Sequence, residues 1–200
     1  KLAVMCSFRG RSPAVPVSVS AWPVTMTLIV TVYNEEARIR GKILDALAIE
    51  YPDLEVIIAS DCSTDRTDDI VREYGSQGVK LVRAEQRLGK EHAQLCAIRE
   101  ARSSVIVFSD VAAEIPADAL RKLAVYFQDP QIGAVSSEDR FISQDGGVVG
   151  EGAYVRYEMW LRRMESRLAG LVGLSGSFFA ARTRVCEQWD IHSPSDFNTA

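Results

Sequence analysis

A chain of 200 residues with 47% hydrophobic composition is long enough to bury a sizeable core as one domain. Its formal net charge of −4 at pH 7 gives no sign of the basic domain that binds nucleic acid, so that class is set aside; no run of about 18 apolar residues is present to cross a bilayer as a helix. Four scattered cysteines, Cys6, Cys62, Cys96 and Cys186, lack paired or metal-ligand spacing, which fits free thiols in a reducing compartment and hence a location in the cytoplasm or at the cytoplasmic face of a membrane.

Residues 1–22 carry an apolar patch, Leu2 to Met5, then Arg9, Arg11, Pro13 and Pro16. This is too short and broken for a signal-peptide core and is expected to be a poorly ordered lead-in; the Lys at position 1 fits a fragment of something longer. From residue 23 strand patterns alternate with helical ones. A β-rich run covers 24–32. Asn34 then suits a helix cap, and Ile39, Ile43, Leu44 and Leu47 share one face of a helix from 35 to about 49. Leu54, Val56, Ile57 and Ile58 suit a strand buried on both faces, followed by a helix from 65 to about 74 with Asp65 as N-cap and Asp68 in the first turn. A strand is expected at 79–83, a helix at 89–102 with Ala93, Ala97, Ile98 and Ala101 inward, a strand at 104–108, a helix at 116–127 and a strand at 132–136. Gly146-Gly147 marks a turn. An amphipathic helix over 150–169 has Tyr154, Tyr157, Leu161, Met164 and Leu168 along a stripe expected to pack in the core. A glycine-rich strand at 173–182 and a short helix at 183–190 follow.

The alternation implies βαβ units and an α/β fold with a mostly parallel central sheet flanked by helices. In such sheets ligands bind outside the carboxyl ends of the strands. The stretch 57–68 fits this geometry, because an apolar strand empties there into acids and hydroxyls, with Asp61, Ser63 and Thr64 on the connecting loop. Capping and turn-making are the alternative use of those side chains.

Several motifs together resemble the family 2 glycosyltransferases. They are Thr31-Val32-Tyr33-Asn34-Glu35-Glu36, Ser60-Asp61-Cys62-Ser63-Thr64-Asp65, Arg87-Leu88-Gly89-Lys90 and Phe108-Ser109-Asp110, each beside an expected strand end or helix start. The likeness continues through Ile132-Gly133-Ala134-Val135-Ser136, Tyr157-Glu158-x-Trp160-Leu161-Arg162-Arg163, Gly176-Ser177-Phe178-Phe179-Ala180-Ala181-Arg182 and Ser195-Asp196-Phe197. Each motif is weak alone, and their order and spacing are specific.

The resemblance implies a GT-A (Rossmann-like) domain over 23–200, with a nucleotide-binding half at about 23–112 and an acceptor-side half at about 113–200. It implies inverting transfer from a UDP-sugar to a hydroxyl of a sugar or lipid-linked acceptor, in polysaccharide, glycolipid or cell-envelope glycan synthesis. By position, Tyr33 and Glu35 line the nucleoside pocket, Asp61 accepts from the uracil N–H, and Arg87 and Lys90 lie near the diphosphate. Asp110 is the metal candidate for Mn²⁺ or Mg²⁺, and Asp196 the base that takes the acceptor proton. Several residues of these motifs have a plainer alternative: Arg87 and Lys90 as a solvated pair, Asp110 as a cap or turn residue, Glu36 as a first-turn acid favoured by the helix dipole. His92 is expected to be structural and His192 a surface residue.

Two features depart from the family. The usual Asp-x-Asp reads Asp110-Val111-Ala112, with Glu114 expected to be misplaced as a substitute. The segments by which membrane-associated members reach the membrane are absent from this chain, so any membrane association would run through parts not contained in it. The runner-up is a noncatalytic or degenerate nucleotide-sugar-binding domain of the same fold.

Overall fold

The computed structural model describes residues 3–7, 24–142, 174, 176–195 and 197–198. In chain order the elements are β1 (Ala3–Ser7), β2 (Met26–Val32), α1 (Ile39–Leu47), β3 (Glu55–Ser60), α2 (Thr67–Arg72), β4 (Val79–Arg83), α3 (Lys90–Glu100) and β5 (Val105–Asp110). They continue with β6 (Ala113–Glu114), α4 (Ala119–Tyr126), β7 (Ala134–Ser136), β8 (Glu138–Ile142) and β9 (Phe178–Arg182), with 3-10 turns at Gly75–Gln77 and Thr183–Gln188.

The main sheet has the order β4-β3-β2-β5-β9-β7. Its first four strands are parallel and β9 runs antiparallel to both β5 and β7. The expected α/β class and mostly parallel sheet are therefore present. Strands β2, β3 and β5 are Val/Ile-rich because parallel strands lie between two helical layers and have no solvated face. Leu28, Val30, Val32, Val56, Ile58, Val105 and Val107 pack with Ile39, Ile43, Ile70, Val71, Leu120 and Leu123 of α1, α2 and α4. The alternate residues Ile29, Ile57, Ala59, Ile106 and Phe108 pack with Ala93, Ala97 and Ile98 of α3. Phe108 stacks at 4.7 Å on Phe179 and at 5.0 Å on Trp189, and the Trp189 Nε1–H donates to the Glu91 carbonyl at 3.1 Å. Each aromatic pair contributes about 0.5–1.5 kcal/mol beyond its area. An exposed pair such as Arg72–Asp69 contributes about 0–1 kcal/mol, so the two apolar layers carry the stability.

Register sets where chemistry can happen. Val32 lies opposite Ser60 and Thr31 opposite Asp110, so β2, β3 and β5 end together and deliver residues 33–36, 61–66 and 110–112 to one edge.

Several local expectations change. Asn34 does not cap α1; its φ of +51° is left-handed, whereas an N-cap needs extended backbone, and the helix starts later, at Ile39. Asp65 precedes α2, which starts at Thr67, yet its Oδ1 still accepts the Thr67 N–H at 2.9 Å. Helix α3 and strand β4 lie where expected, and β5 extends through Asp110. Within the stretch expected as lead-in, Ala3–Ser7 forms a strand in a second sheet of order β6-β1-β8; neither β6 nor β8 was anticipated. The expected helix at 150–169 lies outside the described residues. Cys62, Cys96 and Cys186 are free thiols, and among the described residues no helix is long and apolar enough to cross a membrane.

Candidate functional site

At the carboxyl edge, the loops after β2 and β3 are joined reciprocally. Asn34 Oδ1 accepts the Thr64 N–H at 2.8 Å, and the Asn34 N–H donates to Ser63 Oγ at 3.2 Å. The Glu35 N–H donates to Thr67 Oγ1 at 2.8 Å, and the Glu36 N–H to Asp65 Oδ2 at 3.1 Å. Glu36 Oε2 in turn accepts the Arg66 N–H at 3.1 Å. The first-turn acid role expected of Glu36 is thus exercised on α2 rather than on its own helix. Burial alone would raise the Asp65 carboxyl, but hydrogen bonds from the Thr67 hydroxyl and the Thr67 and Glu36 N–H groups outweigh it and hold the group below its usual value. Asn34, Glu36, Thr64, Asp65 and Thr67 therefore build the frame.

Asp61 follows β3 and is 6% exposed. Its Oδ1 accepts the N–H groups of Leu88 and Gly89, and its Oδ2 the Gly89 N–H, all at 3.2 Å. Gly89 has φ +102° and ψ 172°, a region essentially restricted to glycine. That backbone turns both N–H groups toward Asp61 and starts α3 at Lys90. Arg83 braces the same loop: its guanidinium donates to the Ser63 carbonyl at 2.8 Å, to Asp68 Oδ2, and to Cys62 Sγ at 3.3 Å.

The guanidinium carbon of Arg87 sits 3.8 Å from the centroid of the Tyr33 ring, so these two candidates meet directly. Glu35 stands apart, its carboxylate 3.6 Å from Arg38 Nη1.

Lys90 joins the remaining pair. Its ammonium donates to Asp110 Oδ1 at 2.7 Å and to the Gly176 carbonyl at 3.0 Å. The Asp110 N–H donates to the Ser177 carbonyl at 3.0 Å, so Asp110 closes a strand and is not a helix cap. From below, Lys42, only 3% exposed, donates to Ser109 Oγ at 2.8 Å and to the Ala113 carbonyl at 2.6 Å. It clamps both ends of the turn that carries Asp110. Lys42 was not anticipated, although a signal exists: it occupies the inward i+3 place in the series Ile39, Lys42, Ile43, Ala46, all buried, and a lysine there needs a polar partner.

A divalent cation takes oxygen ligands, commonly one or two carboxylates beside substrate phosphates. Here Asp110 has one oxygen on Lys90, the Ala112 side chain has no donor, and Glu114 is exposed on β6. Among the described residues no group of three or more His, Cys, Asp or Glu is placed to hold a metal. The described residues do not fit a protein-built metal centre. Asp196 lies outside the described residues; its neighbours Ser195 and Phe197 are buried and exposed respectively. His192 is exposed, as expected.

The model of the family described as Glycosyl transferase family 2 matches residues 27–189. Poly-beta-1,6-N-acetyl-D-glucosamine synthase of Staphylococcus epidermidis is 26% identical over 158 residues, 76% of this chain and 38% of that protein. Beta-monoglucosyldiacylglycerol synthase of a Synechocystis species is 30% identical over 159 residues, 75% of this chain and 33% of that protein. The chain thus spans 33–38% of the length of these curated relatives. Among solved structures, the mannosyltransferase PcManGT of Pyrobaculum calidifontis, in complex with GDP-Man and Mn²⁺, superimposes with a TM-score of 0.72 at 28% identity, over 88% of this chain and 50% of that one.

Proposed function

The chain belongs to glycosyl transferase family 2, and from that premise we propose that it transfers a sugar, with inversion, from a UDP-sugar to an acceptor hydroxyl in polysaccharide or glycolipid synthesis. The observation that carries this reading is the meeting of Asp61, Lys90 and Asp110 at one strand edge, through the segment 88–90. In this reading residues 23–200 act as one GT-A domain. Tyr33 and Glu35 line the nucleoside pocket, where Glu35 accepts from ribose hydroxyls. Asp61 presents a carboxylate, already oriented by the Leu88 and Gly89 N–H groups, to the N–H of the base. Arg87 and Lys90 meet the diphosphate.

The reaction is a single displacement. The acceptor oxygen attacks the anomeric carbon while Asp196 takes its proton, and the bond from that carbon to the diphosphate oxygen breaks on the opposite face. Charge gathering on the leaving diphosphate is met by cations already in place, which cost no reorganisation during the step. The acceptor is a sugar or lipid-linked sugar.

A GDP-sugar is the second donor reading, favoured by the 28% identical structure bound to GDP-Man. A noncatalytic nucleotide-sugar-binding role is the other, favoured by Ala112. One assay addresses all three. The purified chain is incubated with UDP- and GDP-sugars, with and without oligosaccharide or glycolipid acceptors, and released nucleotide is measured by chromatography. Acceptor-dependent release of UDP, lost in Asp196→Asn while UDP binding persists, is the expected result. Release of GDP alone would move the donor assignment, and binding without release would leave the noncatalytic reading.

A further inference from the structure

The Asp110 carboxylate meets a cation, and the turn that carries it is held by a second. Lys90 reaches its Oδ1 at 2.7 Å, and Lys42 secures Ser109 Oγ and the Ala113 carbonyl on either side of the turn. The next position but one is Ala112. A divalent ion approaching Asp110 would have to displace or crowd the Lys90 ammonium, and like charges at such range repel.

Lys90 itself has capacity to spare. An ammonium carries three N–H donors; one goes to Asp110 and one to the Gly176 carbonyl, which leaves the third. It is 33% exposed and stands at the first residue of α3, where the positive end of the helix dipole adds to its charge. The two bonds fix the ammonium in place before any ligand arrives.

We propose that the donor diphosphate is held at this edge by Lys90 in place of a divalent ion, with Asp110 and Lys42 as the residues that position Lys90 and its turn. This rests on the nucleotide-sugar reading above. Asp110 orients an ammonium instead of ligating a metal. Lys42 keeps the turn between the two sheets from shifting when the anion binds.

The test is calorimetric titration of UDP, and separately GDP, into the full chain in EDTA and in Mn²⁺, for the wild type, Lys90→Gln, Lys90→Arg and Lys42→Met. Thermal melts establish that each variant is folded. The wild type is expected to bind one of the nucleotides with Kd values in the two buffers agreeing within about threefold. A charge-assisted hydrogen bond corresponds to about tenfold or more in affinity, so Lys90→Gln should weaken binding by at least that factor in EDTA. Lys90→Arg should recover part of the loss. Lys42→Met, if folded, should weaken binding in both buffers.

Binding that appears only with Mn²⁺ would overturn the proposal and leave the nucleotide-sugar reading standing. Unchanged affinity of Lys90→Gln in EDTA would also overturn it. Absence of binding by both nucleotides in both buffers would overturn the nucleotide-sugar reading, and this proposal with it.

Discussion

Both carboxylate oxygens of Asp61 accept the one backbone N–H of Gly89, each at 3.2 Å. The loop entering α3 is therefore tied to the end of β3, and the positions of Asp61 and Lys90 are set by a single piece of backbone.

Gly89→Ala tests that tie. A Cβ there would meet nothing nearer than Glu91 Oε2 at 3.9 Å, so space is not the obstacle. The cost is conformational, because φ is +102°. Chemical denaturation should show a loss of about 1–3 kcal/mol, and calorimetry a weaker grip on the nucleotide.

Arg87 is exposed over the Tyr33 ring, and its cation–π contact contributes only about 0.5–1 kcal/mol. Arg87→Met should leave the melting temperature nearly unchanged and raise KM for the donor with little change in kcat. A fall in kcat at constant KM would contradict its assignment to donor binding.

Glu36→Ala removes the acceptor of the Arg66 N–H at the entrance to α2. A lost hydrogen bond of this kind contributes about 1 kcal/mol. Urea unfolding should register that loss while donor affinity is retained, because the frame still holds through Asn34 and Asp65.

Alkaline pH should destabilise the fold in a defined window. Burial pushes the Tyr51 hydroxyl up from 10.0 to about 12, and its O–H donates to the Val24 carbonyl at 2.5 Å. The folded state thus keeps a proton that the unfolded chain releases, so this contribution is full below about pH 10 and is lost as pH rises toward 12. Tyr51→Phe should lower stability near neutrality and flatten the decline above pH 10 in circular-dichroism melts.

Thiol labelling offers a separate check on the α3-side core. Burial also pushes the Cys186 thiol up to about 12, whereas Cys62 and Cys96 are partly exposed. Iodoacetamide at pH 8 followed by peptide mass spectrometry should modify those two first and reach Cys186 only after denaturant is added.

How far the sequence could be read depended on the range of the interactions involved. Strand β4 was legible as a short Val/Leu-containing run after Gly78, and the body of α3 because Ala93, Ala97 and Ile98 recur at helical spacing on its buried face; Lys90 and Asp110 were singled out by motif position alone. The ends of α1 and α2 were not, because Asn34 and Asp65 spend their side chains wholly or partly on a loop about 30 residues away in sequence instead of acting as simple caps. The pairing of β1 with β6 and β8 is likewise nonlocal, and a two-residue strand such as β6 has no periodicity to detect. Lys42 was missed for the opposite reason, since a lysine in a helix is ordinarily solvated, and only its place on the buried face marks it.

The crossing hydrogen bonds between residues 34–36 and 63–67 span 29 to 32 positions. Neither strand–helix unit can assemble the ligand edge alone, so during folding that edge matures only after β2 and β3 have paired in register. Nucleotide added to a refolding chain should then leave the folding rate unchanged and slow unfolding.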